Sequence, residues 1–198
     1  MNEISFKQRI VLTTKTGYQR ARRCIPEKNV INYPWRKEQS VLSESVASPF
    51  IKDCAFLGIR DGQKVLGLHL NPLDPLNKMF SSITNFIKNK IDVKNPDLEA
   101  IVIGGKAPCI AGEDSYKQID NIVKFLEDEN IPYTLLKGGM GERNVCYSSQ
   151  TDTWVIGTDA VNRLDPYRRG SAMDIFKEIF SEVKVSPKDE IFYQKTWF

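Results

Sequence analysis

Cys54 and the only histidine of the chain, His69, stand fifteen residues apart in the stretch KDCAFLGIRDGQKVLGLHLNP, Lys52 to Pro72. A thiol and an imidazole held together can transfer acyl groups. The imidazole takes the thiol proton, the sulfur attacks an amide carbon, and the proton is returned to the departing amine. Hydrolysis, deamidation and transglutamination of amides all use this pairing. The plainer reading of the same residues is a small buried cysteine and a histidine that has merely found a partner.

Two apolar runs around a turn would have to position the pair. Asp-Gly is a strong signal for a two-residue hairpin, because a type I′ turn needs positive φ at both central residues. With Asp61 and Gly62 at the centre, Arg60 faces Gln63 and, further along the ladder, Cys54 faces His69. Opposed Cβ atoms stand about 4.5–5.5 Å apart. Cys54, Phe56, Gly58, Arg60, Gln63, Val65, Gly67 and His69 then share one face. The other carries Ala55, Leu57, Ile59, Lys64, Leu66, Leu68 and Leu70, a denser apolar set expected to point at the core. The cysteine face, thinned by two glycines, is expected to border a cleft. Asp53 opposes thiolate formation if its charge lies near the sulfur, and strand alternation is expected to turn it away. A one-residue slip would put Cys54 and His69 on opposite faces.

The surrounding pattern mixes strands and helices. RIVLTT (Arg9 to Thr14) reads as a strand and the polar stretch from there to Pro49 as loop-rich, and the basic cluster YQRARRC within it reads as a solvated loop or strand edge, or as a contact patch for an acidic partner. DPLNKMFSSITNFIKNKI carries an apolar stripe of Leu76, Met79, Phe80, Ile83, Phe86, Ile87 and Ile91 at helical spacing, with Asp74 as cap and Pro75 at the first position. Tyr116, Ile119, Ile122, Val123 and Leu126 mark a second helix capped by Asp114. SAMDIFKEIFSEV, capped by Ser171, marks a third. LEAIVIGG, PYTLLKGG, RNVCYSS, TWVIGT and EIFYQKTWF read as strands. The order predicts an α+β or layered fold rather than a doubly wound sheet.

Composition sets further bounds. The chain has 198 residues, 41 % of them hydrophobic and 27 % charged, which suits a single domain over 1–198. A net charge of +3 is too mild to imply nucleic acid. No run reaches the roughly 18–20 apolar residues of a membrane span, and MNEISFKQR has no apolar stretch of signal-peptide type. A cytoplasmic location, or export into another cell by a specialised secretion system, is the expectation. Cys24, Cys54, Cys109 and Cys146 include no CxxC pair and, with one histidine, form no zinc pattern. Cys109 and Cys146 are read as structural. GG-x-x-x-R, Gly138 to Arg143, taken alone is a turn followed by a strand-edge arginine, and Trp154 is packing.

The order strand, Cys, turn, strand, His, helix, Gly-Gly strand, helix, followed by NIPYTLLKGGMGERNVCYSSQTDTWVIG, resembles the CheD family of chemoreceptor glutamine deamidases. Gly138-Gly139, Arg143, Val145, Thr151 and Trp154-Val155 carry the likeness, which covers about residues 45–160. The N- and C-terminal segments are additions outside it. Bacterial glutamine-deamidating toxins of the cytotoxic-necrotizing-factor and lethal-factor types share the same catalytic sandwich and a similar Cys-to-His spacing. The resemblance implies a central β-sandwich with flanking helices, Cys54 as nucleophile and His69 as base and then acid. It also implies that Ser48, six positions before the cysteine, is the hydroxyl that orients the imidazole. The implied activity is deamidation of glutamine side chains on a protein substrate, with no metal or organic cofactor. Lys52-Asp53 departs from the small residues that the family places before its cysteine. A non-catalytic protein-binding module, or a cysteine protease or transglutaminase on the same dyad, are the alternatives.

Overall fold

Short apolar runs bounded by turn residues dominate the sequence, and in the computed structural model they form two mixed sheets stacked face to face. The structure describes residues 8–31, 40–72, 76–105, 112–139, 141–164 and 170–195. One sheet holds β1 (Gln8–Thr13), β3 (Ser45–Ile51), β8 (Arg143–Ser148), β9 (Thr153–Thr158) and β11 (Asp189–Gln194), in the order β11-β1-β9-β8-β3. The other holds β2 (Ser40–Ser43), β4 (Ala55–Asp61), β5 (Lys64–Leu70), β6 (Glu99–Gly104), β7 (Tyr133–Lys137) and β10 (Glu182–Lys184), in the order β10-β7-β6-β4-β5-β2. Parallel pairings of β1 with β9 and β11, and of β6 with β7, sit among antiparallel ones. The fold is α+β and layered.

Helices α1 (Lys15–Arg22), α2 (Leu76–Lys90), α3 (Gly112–Asp128) and α4 (Ala172–Ile179) complete the layers. Between the sheets lie Ile10, Leu12, Val46, Phe56, Val65, Ile103, Val145, Trp154 and Ile156, and Phe176 and Phe180 join them from α4 and its end. The outer face of the second sheet packs Leu57, Leu66 and Val102 against Ile87 of α2 and Ile119 and Ile122 of α3. The outer face of the first sheet packs Ala47, Cys146 and Val155 under Tyr18 of α1. Each buried Val, Leu, Ile or Phe side chain among these contributes about 1.5–3 kcal/mol. Among the described residues, no helix is long and apolar enough to cross a membrane.

Four details differ from the sequence reading. YQRARRC is the body of α1 and the turn after it, not a loop or strand edge. Thr14 caps this helix by accepting the Gly17 N–H at 3.1 Å, and Tyr18 anchors it with 3 % exposure. The stretch before Pro49 also contains β2 and most of β3. α3 begins at Gly112, so Asp114 falls inside its first turn. α4 opens on the expected Ser171, in a capping box with Asp174, but stops at Ile179. Phe180 is extended, and Glu182–Lys184 pairs with β7 instead of continuing the helix. Asp74, Pro75 and Cys109 lie outside the described residues, as do the side chains of Leu76, Met79 and Phe80.

A polar cluster ties the two sheets together at the turn end of the β4–β5 hairpin. Arg60 pairs with Glu99 at 2.5 Å and lies 3.8 Å from Asp152, which accepts the Tyr147 hydroxyl at 2.9 Å. Nearby, the Thr134 hydroxyl of β7 donates to Asp189 of β11 and accepts the Ser186 N–H at 2.9 Å. Burial, with Glu99 and Asp152 adding to it, pushes the Asp189 carboxyl up to about 7.

Candidate active site

β4 and β5 form the expected hairpin, but its turn is centred one residue later. Asp61 pairs with Lys64, Gly62 and Gln63 are the central residues, and Gly62 takes φ +60°. Glycine at the first central position is the mark of a type II′ turn, which needs one positive φ where Asp61-Gly62 at the centre would need two. The pairing is therefore displaced by two residues, and Phe56, not Cys54, faces His69. Two residues are one full pleat repeat, so the division into faces survives.

The fate of those faces differs from expectation. Both are buried. The dense apolar face lies under α2 and α3, and the face thinned by glycine lies against the other sheet. A Cβ on Gly58 would stand 2.3 Å from Trp154 Cη2, and one on Gly67 would stand 2.6 Å from Val46 Cγ2. The space the glycines leave is filled by Trp154 and Val46, so it borders no cleft.

Ser48 and His69 do meet. Ser48 is on β3 of one sheet and His69 on β5 of the other, and Oγ and Nδ1 share a hydrogen bond of 2.8 Å across the sandwich. Ser48 is fully buried and His69 is 4 % exposed. The bond fixes the ring and turns Nε2 the opposite way, where it is buried without a hydrogen-bond partner among the described residues. Desolvation pulls the imidazole down to about 4, so it is neutral at pH 7.

Cys54 sits half-buried in a bend, residues 52–54, between β3 and β4. The bend is why alternation does not turn Asp53 away from the sulfur. Burial first, then the Asp53 charge, push the thiol up to about 11, and the Arg143 charge pulls against them. The bend is held from three sides. Ser115 of α3 donates its hydroxyl to the Asp53 carbonyl at 2.6 Å, and the Gly105 N–H donates to the Cys54 carbonyl at 3.2 Å. Arg143, at the start of β8 and fully buried, donates to the carbonyls of Lys52 at 2.5 Å, Gly105 at 2.8 Å, Gly138 at 3.2 Å and Gly139 at 3.4 Å. Gly104 takes φ +142°, and a Cβ there would lie 2.3 Å from the Cys54 carbonyl oxygen. Arg143 is thus no strand-edge arginine. One guanidinium gathers the loops that follow β3, β6 and β7, and burial lowers it to about 10. The trace it left in the sequence is a pair of Gly-Gly steps, at 104–105 and 138–139, each closing one of two adjacent parallel strands.

Between Ser48 and Cys54 the edge strand is irregular. Ser48 pairs with Val145 and Ile51 with Arg143, so β3 carries one extra residue, a bulge at Pro49-Phe50. Pro49 has no N–H for the ladder, and the Phe50 N–H donates to the Asn144 side chain at 3.2 Å. Ser48 and Ile51 point inward with 0 % exposure, while Phe50 points out with 57 % exposure at φ +63°. Among the described residues, no group of three or more His, Cys, Asp or Glu side chains could hold a metal ion.

No protein-family model matches the chain, and no curated protein matches it significantly.

Proposed function

We propose that the chain is a cysteine-dependent amide hydrolase of CheD-like type that converts glutamine side chains of a protein substrate to glutamate. The observation that carries this reading is the buried Ser48–His69 bond, which orients an imidazole whose free nitrogen is left to act as a base. With the Nδ1 proton donated to Ser48, Nε2 keeps its lone pair and takes the Cys54 proton as sulfur attacks the carboxamide carbon. The tetrahedral adduct collapses as the imidazolium hands that proton to the amide nitrogen, and ammonia leaves. Water then adds to the thioester, giving one proton to Nε2, and the thiol is released with glutamate. Both groups are neutral at rest, so thiol deprotonation accompanies attack instead of preceding it.

The test is ammonia release, with a mass gain of about one dalton per converted glutamine, from a proteome digest treated with wild type, Cys54→Ala, Ser48→Thr and Ser48→Ala. Wild type and Ser48→Thr should release ammonia, Cys54→Ala none, and Ser48→Ala about a hundredfold less. Equal release by wild type and Cys54→Ala would sink the reading. The thiol held up at about 11 beside Asp53 favours the second reading, a protein-binding module without turnover. That module would leave Cys54 unreactive and indifferent to His69→Ala.

A further inference from the structure

We infer that Phe50 docks the protein substrate by receiving an apolar side chain that flanks the target glutamine in sequence. The inference rests on the glutamine-directed reaction proposed at Cys54. Among the described residues, Phe50 and Leu42 are the large hydrophobic side chains left exposed, at 57 % and 41 %. Phe50 is also a bulky residue with its backbone in the left-handed region, at φ +63°, where asparagine or glycine fits with less strain. Asn144, itself 2 % exposed, holds that backbone through the Phe50 N–H. Phenylalanine here accepts strain and gains little burial for it, so burial does not account for the aromatic ring, whose described contact is the Lys15 ammonium. Strain of this kind gathers at ligand clamps.

The place and the neighbours define the occupant. Phe50 lies four residues before Cys54, a chain length of at most about 14 Å, which an extended substrate spans in about four residues. β3 is an edge strand, but Pro49 and the bulge remove the regular ladder at this point, so a substrate cannot add there as a further strand. Contact must come through side chains. Lys15 Nζ lies 5.8 Å from the Phe50 ring centroid and 3.1 Å from Glu142, and Lys52 is exposed next along the chain. The lysines disfavour a basic flank, and the part of the ring that Lys15 leaves exposed favours an apolar one.

Nonapeptides with one central glutamine in a Ser-Gly background, carrying leucine two, three or four residues to either side, test this. Ammonia release and protection of Cys54 from iodoacetamide are both read. At one or more positions leucine should raise kcat/KM, or protection, about tenfold over the leucine-free peptide. In Phe50→Asn that ratio should fall to about one while the thermal midpoint holds or rises by a few degrees. Phe50→Tyr should keep the ratio. No leucine preference in either readout, a preference that survives Phe50→Asn, or a lowered midpoint in Phe50→Asn overturns the inference. Ammonia release without a leucine preference removes the docking role and leaves the reaction standing. Leucine-dependent protection without ammonia release does the reverse.

Discussion

Cys54 holds a neutral thiol at pH 7 because burial and the charge of Asp53 outweigh the charge of Arg143. The thiolate is the reactive form, so alkylation should rise about tenfold per pH unit from pH 7 to 10 before levelling near 11. Asp53→Asn removes one of the two raising influences. It should lower the thiol pKa and speed alkylation several-fold at pH 8, as read by timed iodoacetamide labelling and mass spectrometry. An unchanged rate would place the Asp53 charge too far from the sulfur to matter. Because Asp53 lies in a bend, side-chain alternation says nothing of where its charge falls. Arg143 acts on the same thiol with opposite sign while its donors are spent on backbone carbonyls. Lysine has one point donor group and could not replace that fork.

At the scale of elements, the β4–β5 hairpin shows how little room the sandwich leaves. Gly58→Ala drives a Cβ into the Trp154 ring, which Tyr147 and Phe56 hold from either side at centroid distances of 4.7 Å and 5.9 Å. Overpacking of this kind costs about 1–3 kcal/mol, so the thermal midpoint should drop by about 2–12 °C. A midpoint within a degree of wild type would mean that Trp154 can move. The hairpin itself was legible in the sequence, since alternation and a glycine turn suffice to specify it. Its turn centre was not, because Asp-Gly and Gly-Gln are both good two-residue turns and differ by one residue. The displacement is even, so the faces of β4 and β5 follow the sequence pattern, while Cys54 lies in the bend before β4 and has no place in the ladder. Ser48 and His69 were paired through resemblance alone, since no local pattern joins strands of different sheets. Helix α1 escaped notice because eight residues bearing Arg20, Arg22 and one anchoring tyrosine give a weak apolar period. Arg143 escaped because its four acceptors come from three separate loops.

For the molecule as a whole, two buried titrations oppose one another. Asp189, raised from about 4 to about 7, keeps its proton longer in the folded than in the unfolded chain. Its contribution is full below about pH 4 and is lost as pH climbs to about 7. His69, lowered from 6.5 to about 4, binds its proton less readily when folded. Its contribution is full above about 6.5 and is lost as pH falls to about 4. Each is worth a few kcal/mol at about 1.4 kcal/mol per pH unit, so wild-type stability should be nearly flat from pH 4 to 6.5. Urea unfolding should show stability rising with pH over that window in Asp189→Asn and falling in His69→Gln. Parallel curves for the three proteins would contradict both assignments. Asp189 also opens β11, which joins the sheet only through β1. Residues 8–13 and 189–194 are thus direct neighbours in a parallel ladder. During synthesis β1 must wait with one edge open until residues 189–194 have been made, since closing so long a loop comes late. The half-buried β11 is a late clasp, and until it closes a growing chain carries an unpaired parallel edge that chaperones have time to find.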